Sequence, residues 1–165
     1  MKRIFPAALS AASLMLGAAQ VQAADFVVGL GYTDFGSNEP PNTRVLSLEL
    51  HGDSFRDVGQ VAVSPMLVVT VHDGGDYFIG GGLSGRYDLK GDWFVEGSLA
   101  PGLYLPSSDA TDLGYHLEFR SVLGVGYQIN DGNAVSVALT HKSNAGISGR
   151  NPGVDTIEFR WRKSF

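Results

Sequence analysis

The 165-residue sequence contains no cysteine. Disulfide bonds and cysteine-ligated metal sites are therefore excluded, and a lipoprotein signal is excluded as well because it needs a cysteine at its cleavage point. If the protein is exported, packing and hydrogen bonding alone must hold its fold together.

Positive charge is also scarce. The sequence has 12 Lys and Arg residues against 17 Asp and Glu, which gives a formal net charge of -5. General nucleic-acid binding usually leaves a basic footprint, so we expect no nucleic-acid partner. The four histidines show no paired metal-ligand spacing, and we expect neither a metal nor another cofactor.

The amino-terminal segment has the pattern of a cleavable secretory signal. Lys2 and Arg3 precede a short apolar run rich in Ala and Leu, and small residues lead up to Ala23. We therefore expect a signal peptide at 1–23 and one mature domain at 24–165. Removing the two basic residues moves the formal net charge from -5 to about -7.

Beyond the predicted signal there is no apolar run near the length of a transmembrane helix. Apolar and polar residues alternate instead, in about eight segments separated by turn signals. Short connections alternate with connections that are mostly longer. Both chain ends lie on the side of the short connections. This pattern predicts an all-β fold, an eight-stranded antiparallel up-and-down transmembrane β-barrel. The predicted strands are 26–34, 44–52, 60–71, 76–88, 92–104, 115–129, 133–143 and 154–165.

One face of the predicted strands is apolar and the other is charged. In the last strand, Phe159 and Trp161 alternate with Glu158 and Arg160. The apolar face would be the core of a soluble sandwich, but it would meet lipid in a small membrane barrel whose charged residues pair inside. The terminal Phe165 is typical of outer-membrane barrels, so we expect an integral outer-membrane protein. The alternatives are a non-enzymatic barrel with a structural or partner-binding role and a soluble exported barrel.

Two polar residues stand where the seventh predicted strand should face lipid. His141 and Ser143 share the parity of Leu139, so both project from one side of the strand and can meet. A serine becomes a nucleophile when a base removes its proton and an acid orients that base. Asp155 begins the eighth strand with outward parity, and we predict it to be the acid. Glu158, which has inward parity, is the alternative, because a bulge at the strand start would reverse the choice.

The segment "HKSNAG", followed by "NPG" and an acidic residue at the start of a final strand ending in Phe, resembles the signature of the PagL lipid A 3-O-deacylase family. The specific match covers roughly residues 141–165. The resemblance implies an eight-stranded outer-membrane barrel that hydrolyses the ester at position 3 of lipid A. It also implies that a 3-hydroxy fatty acid is released without a metal, and that lipopolysaccharide is the substrate.

Roles for individual residues follow from the same resemblance. It makes His141 the general base, Ser143 the nucleophile, and Asn144 with the Gly146 backbone amide the groups that stabilise the oxyanion. The family carries a glutamate on the final strand, whereas this sequence has Asp155 at the matching position.

The expected surroundings of the site are the outer leaflet and its lipid. The seventh strand ends outside, so His141 should lie towards the outer leaflet, where lipid A resides. Lys142 and Arg150 are predicted to pair with lipid A phosphates. The sequence leaves open whether the barrel is a monomer or a homodimer, because lipid-facing and subunit-facing apolar residues look alike.

Overall fold

The computed structural model describes residues 23–34 and 43–165, which form nine antiparallel strands. This part of the chain contains no helix long and apolar enough to cross a membrane. The expected signal peptide at 1–23 falls almost entirely outside the described residues, so the leader and the start of the mature domain stay predictions. The strands are β1 (Ala23–Asp34), β2 (Thr43–Gly52), β3 (Arg56–Val58), β4 (Val61–His72), β5 (Tyr77–Asp88), β6 (Trp93–Leu105), β7 (Leu117–Asn130), β8 (Asn133–Ser143) and β9 (Val154–Ser164).

The sheet closes on itself. β1 pairs with β2 on one side and with β9 on the other, the remaining long strands pair with their neighbours in the chain, and β2 pairs with β4. Eight long strands therefore form a closed antiparallel barrel, and the predicted fold class is confirmed. The remaining strand, β3, is short and pairs with β4. It lies in the connection between β2 and β4, which was expected to be a turn. All three of its residues are exposed, so no alternating pattern marks it in the sequence.

The outward side chains of the barrel form an apolar surface. Leu123, Leu139 and Phe159 are 64%, 65% and 57% exposed, and their inward neighbours are buried. So much exposed apolar area is unfavourable in water but matches the hydrocarbon of a bilayer. The exposed apolar area of the outer surface therefore favours a membrane-spanning barrel over a soluble one.

The interior of the barrel, which we call the lumen, is filled with paired charged side chains. Arg160 lies 2.6 Å from Glu49 and 2.8 Å from Glu96. Arg120, which is fully buried, lies 2.9 Å from Glu49 and 3.2 Å from Glu158. Removing charges from water is costly unless they are paired, so these contacts offset the burial that barrel closure imposes. An eight-stranded barrel is filled by such side chains and leaves no pore.

The loop 106–116, between β6 and β7, folds into the end of the barrel that carries the longer connections. Leu113 is 1% exposed and belongs to an apolar cluster that includes Tyr104. The Tyr104 hydroxyl donates to the Thr111 carbonyl at 3.0 Å, and the Thr111 hydroxyl donates to Asp76 at 2.6 Å. The loop therefore caps this end, and it also touches the connection between β8 and β9.

Candidate active site

His141 and Asp155 lie directly opposite each other on β8 and β9. The Nδ1 atom of His141 is 2.8 Å from the Oδ1 atom of Asp155. A carboxylate can only accept, so Nδ1 is the donor in this contact, and in the neutral imidazole Nε2 then has the lone pair of a base. The two side chains are 50% and 80% exposed on the outer surface of the barrel. This is the base and acid arrangement that the strand parity predicts.

Ser143 follows two residues after His141 on the same face of β8, opposite Phe119 of β7. Its side chain is half-buried, and within the described residues its hydroxyl has no hydrogen-bond partner. Alternate residues on a strand are separated by about 6.5–7 Å, which is within reach of an imidazole and a hydroxymethyl group bending towards each other. The structure therefore brings the three predicted catalytic side chains to one outward patch.

Glu158, the alternative acid, points into the lumen. It is 1% exposed, accepts a hydrogen bond from the Ser47 hydroxyl at 2.9 Å, and pairs with Arg120. The pairing of β8 with β9 continues without a bulge, so Glu158 stays on the face opposite to His141. Asp155 is therefore the carboxylate that faces the imidazole. In the described part of the chain, no group of three or more histidine or acidic side chains could hold a metal ion.

The turn before β9 is shaped around the imidazole. Gly153 has a φ of +67°, and a Cβ at this position would lie 3.0 Å from Cε1 of His141 and 3.5 Å from Nε2. Both the dihedral angle and the close approach favour glycine. This contact gives the glycine of "NPG" a physical reason that the sequence alone did not reveal.

The connection between β8 and β9 is organised by the buried side chain of Asn144. Its amide nitrogen donates to the carbonyl oxygens of Leu113 and Arg150 at 3.0 and 2.8 Å, and to the hydroxyl of Ser148. Its amide oxygen accepts from the Gly146 backbone at 3.0 Å. The two predicted oxyanion donors thus already have acceptors, and either would reach a substrate oxygen only by exchanging a present acceptor.

The same connection contains a tight turn directly after Ser143. The backbone N–H of Ile147 donates to the Asn144 carbonyl at 3.1 Å, and the two residues between them, Ala145 and Gly146, have φ values of 54° and 77°. Ala145 is the one non-glycine residue with positive φ in the part of the chain described here. Such conformations persist where the surroundings hold them and concentrate at functional sites.

Lys142 lies inside the barrel. It is 2% exposed, and its Nζ atom is 2.8 Å from Nε2 of His72. The prediction that Lys142 pairs with lipid A phosphates is therefore wrong, because the alternation that turns its two neighbours towards lipid turns Lys142 into the lumen. Arg150 is exposed in the loop, where its guanidinium lies 3.6 Å from Asp112. Its pairing with phosphate stays a prediction.

A groove of about 490 Å³ runs along the outer surface from the site towards the middle of the barrel. Ser121 of β7 lines it directly opposite His141, with its hydroxyl 3.4 Å from the His141 carbonyl oxygen. Sequence reasoning passed over Ser121, although it is a polar residue in a row of outward apolar ones, and that interruption was the available signal. The row comprises Leu117, Phe119, Ser121, Leu123, Val125 and Tyr127. The groove is lined by Ser121, Val122, Leu123, Leu139, Thr140, His141, Asp155 and Thr156.

A closed antiparallel barrel with an apolar outside and a charged inside defines the class of outer-membrane β-barrels. Within that class, the sequence model of the lipid A 3-O-deacylase (PagL) family matches residues 48–164, and the chain belongs to this family. The resemblance seen at residues 141–165 is therefore confirmed, and the match extends over most of the barrel.

Solved structures agree on the fold. The crystal structure of the outer membrane enzyme PagL has a TM-score of 0.73 and 21% sequence identity, over 86% of this chain and 100% of that one. A de novo designed transmembrane β-barrel has a TM-score of 0.54 and 9% identity, over 87% of this chain and 98% of its own. Neisserial surface protein A has the same TM-score and identity, over 86% and 95% of the two chains. A search of curated protein sequences gives no match.

Proposed function

We propose that this protein hydrolyses the ester-linked 3-hydroxyacyl chain at position 3 of lipid A in lipopolysaccharide. Ser143 is the nucleophile, His141 the general base and Asp155 the acid that orients it. The observation that carries the proposal is the 2.8 Å contact between His141 Nδ1 and Asp155 Oδ1, on the lipid-facing surface and two residues from Ser143. Family membership supports lipid A as the substrate.

The first half of the reaction is transfer of the acyl group to Ser143. His141 Nε2 takes the hydroxyl proton as Oγ attacks the ester carbonyl, and Asp155 stabilises the imidazolium that forms. The tetrahedral intermediate collapses when the bond between the carbonyl carbon and the sugar oxygen breaks. His141 returns its proton to that oxygen, so the sugar leaves as an alcohol and Ser143 holds the acyl chain.

The second half releases the fatty acid. His141 removes a proton from a water molecule, the resulting hydroxide attacks the acyl carbonyl, and Ser143 departs with the proton that His141 returns. The imidazole and the serine are both restored. The lipid-facing position of the triad supports this proposal, because the acyl product can pass from the site into the bilayer without crossing water.

Asn144 and the Gly146 amide remain the proposed oxyanion donors. Both donors already have acceptors, which for Asn144 include the Leu113 carbonyl of the loop 106–116, so each must exchange one hydrogen bond for the substrate oxygen. Catalytic hydrogen bonds often form fully only in the complex with substrate. A single donor of this kind contributes about 2.7–4 kcal/mol where it has been removed from other enzymes.

The test is mass spectrometry of lipid A after incubation of lipopolysaccharide with the detergent-folded protein. We expect the parent protein to remove one 3-linked acyl chain, and Ser143→Ala to remove none. Ser54→Ala, which alters an exposed serine at the opposite end of the barrel, is the matched control and should act like the parent.

Two results would contradict the proposal. Unchanged lipid A after treatment with a correctly folded barrel would favour the non-enzymatic alternative. Full hydrolysis by Ser143→Ala would show that another residue is the nucleophile.

A further inference from the structure

Three polar side chains form a row across neighbouring strands on the lipid-facing surface. Ser121 of β7 lies opposite His141 of β8, which in turn lies opposite Asp155 of β9. Directly opposed residues have Cβ atoms about 4.5–5.5 Å apart, so Ser121 and Asp155 flank the histidine on its two sides. The next outward row towards the middle of the barrel is apolar, and comprises Leu123, Leu139 and Ile157.

The Ser121 hydroxyl is poorly satisfied in this position. Within the described residues its one hydrogen bond goes to the His141 carbonyl at 3.4 Å, which is longer than an ordinary hydroxyl bond. A hydroxyl that faces hydrocarbon without a good partner costs free energy. Ser121 points outwards, so the charged network of the lumen does not account for it. A polar atom on a bound molecule would complete its hydrogen bonding.

The groove next to this row fits one occupant, the acyl chain of the ester under attack. His141 and Asp155 form part of its wall, and Leu123 and Leu139 line it towards the middle of the barrel. A chain whose carbonyl carbon is bonded to Ser143 therefore passes Ser121 first and the two leucines afterwards. Ser121 and Ser143 lie diagonally across two paired strands, about 7–8 Å apart. That separation leaves room for the carbonyl carbon and the first carbons of the chain between the two hydroxyls.

We propose that Ser121 is a specificity-determining residue that hydrogen-bonds an oxygen substituent near the ester end of the acyl chain. It thereby makes a 3-hydroxyacyl ester a better substrate than the same ester without the hydroxyl. This inference rests on the proposed function and deepens it, because it assigns recognition of the acyl substituent to a residue outside the Ser143, His141 and Asp155 triad.

The test compares two synthetic glucosamine esters that differ only in the 3-hydroxyl of a 14-carbon acyl chain. We expect the parent protein to prefer the hydroxylated ester. Ser121→Ala should lower kcat/KM for that ester about fivefold to tenfold, the effect of one hydrogen bond, and leave the unsubstituted ester within about twofold. Ser121→Thr keeps a hydroxyl and should restore part of the preference. Val125→Ala, farther along the same face of β7, is the matched control and should change neither rate.

Equal effects on the two esters would overturn the inference. If Ser121→Ala slowed both alike, the residue would serve folding or the chemical step, and if it slowed neither, the hydroxyl would contact nothing on the substrate. A parent protein that cleaved both esters without preference would also overturn it and leave the proposed function standing. A folded parent protein that cleaved neither ester would overturn the proposed function, and the inference with it.

Discussion

Gly153 packs against the imidazole of His141, so closely that an added Cβ would lie 3.0 Å from Cε1. Gly153→Ala should therefore push the ring out of line and also strain a backbone held at a φ of +67°. We expect lipid A hydrolysis to fall about 10- to 100-fold, because small displacements of a catalytic group are costly. Gly149→Ala lies in the same loop with open space around it and should retain full activity. Equal activity of the two variants would show that the contact does not position the ring.

Asp155 is expected to act through charge as well as position. Asp155→Asn keeps the shape of the side chain but cannot stabilise the imidazolium, and we expect kcat to fall about 10²- to 10⁴-fold. Asp155→Glu retains the carboxylate and should keep much more activity than the asparagine variant. Single-turnover kinetics on lipid A in mixed micelles would measure both.

Glu158→Gln is the matched control for Asp155→Asn. It alters a lumen carboxylate on the same strand, so it should lower stability while the folded protein keeps its rate. A loss of rate in the Glu158 variant equal to that of the Asp155 variant would contradict the assignment of the acid.

Arg120 is fully buried between Glu49 and Glu158. Arg120→Met should lower the free energy of unfolding by about 3–5 kcal/mol, because it leaves the buried Glu158 without its arginine and leaves Glu49 with Arg160 as its remaining arginine. Urea unfolding of the detergent-folded barrel would measure the change. Adding Glu158→Gln should recover part of the loss, and additive losses in the double variant would contradict the pairing.

Lys142 should contribute nothing to phosphate recognition. Lys142→Met is expected to leave unchanged the ratio of rates on bisphosphorylated and monophosphorylated lipid A, because the ammonium is enclosed in the lumen beside His72. Arg150→Gln should reduce that ratio if the loop guanidinium pairs with phosphate. A reduced ratio in the lysine variant would mean that Lys142 reaches the outer surface.

Strand alternation was enough to predict the eight long strands and the faces on which the candidate site residues lie. Because successive side chains face opposite sides, one parity count placed His141, Ser143 and Asp155 on the lipid-facing side and Glu158 in the lumen. The same count, applied to Lys142, places it in the lumen as well. The phosphate prediction for Lys142 rested on its charge, whereas the parity rule gives the position that the structure shows.

The connections were beyond sequence reasoning because their contacts join distant parts of the chain. The carbonyl of Leu113, in the loop after β6, accepts a hydrogen bond from Asn144, in the loop after β8. No local pattern in the sequence encodes this hydrogen bond. It occupies the side-chain amide of Asn144, which the family resemblance implies is an oxyanion donor. The contact between Gly153 and His141 is similarly hidden, because it depends on how the turn brings β9 back beside β8.

Lys142 faces the lumen, and its two neighbours on β8, His141 and Ser143, face outwards. The position of the candidate catalytic residues therefore depends on the register of β8. If β8 slipped by one residue against its neighbours during insertion, Lys142 would turn towards hydrocarbon, and His141 with Ser143 would enter the lumen among the arginines. In a slipped barrel the Lys142 side chain would face hydrocarbon at a cost in free energy, and the Ser143 hydroxyl could not reach an ester in the leaflet. An assay of lipid A hydrolysis would therefore also report on the register of β8 against its neighbours.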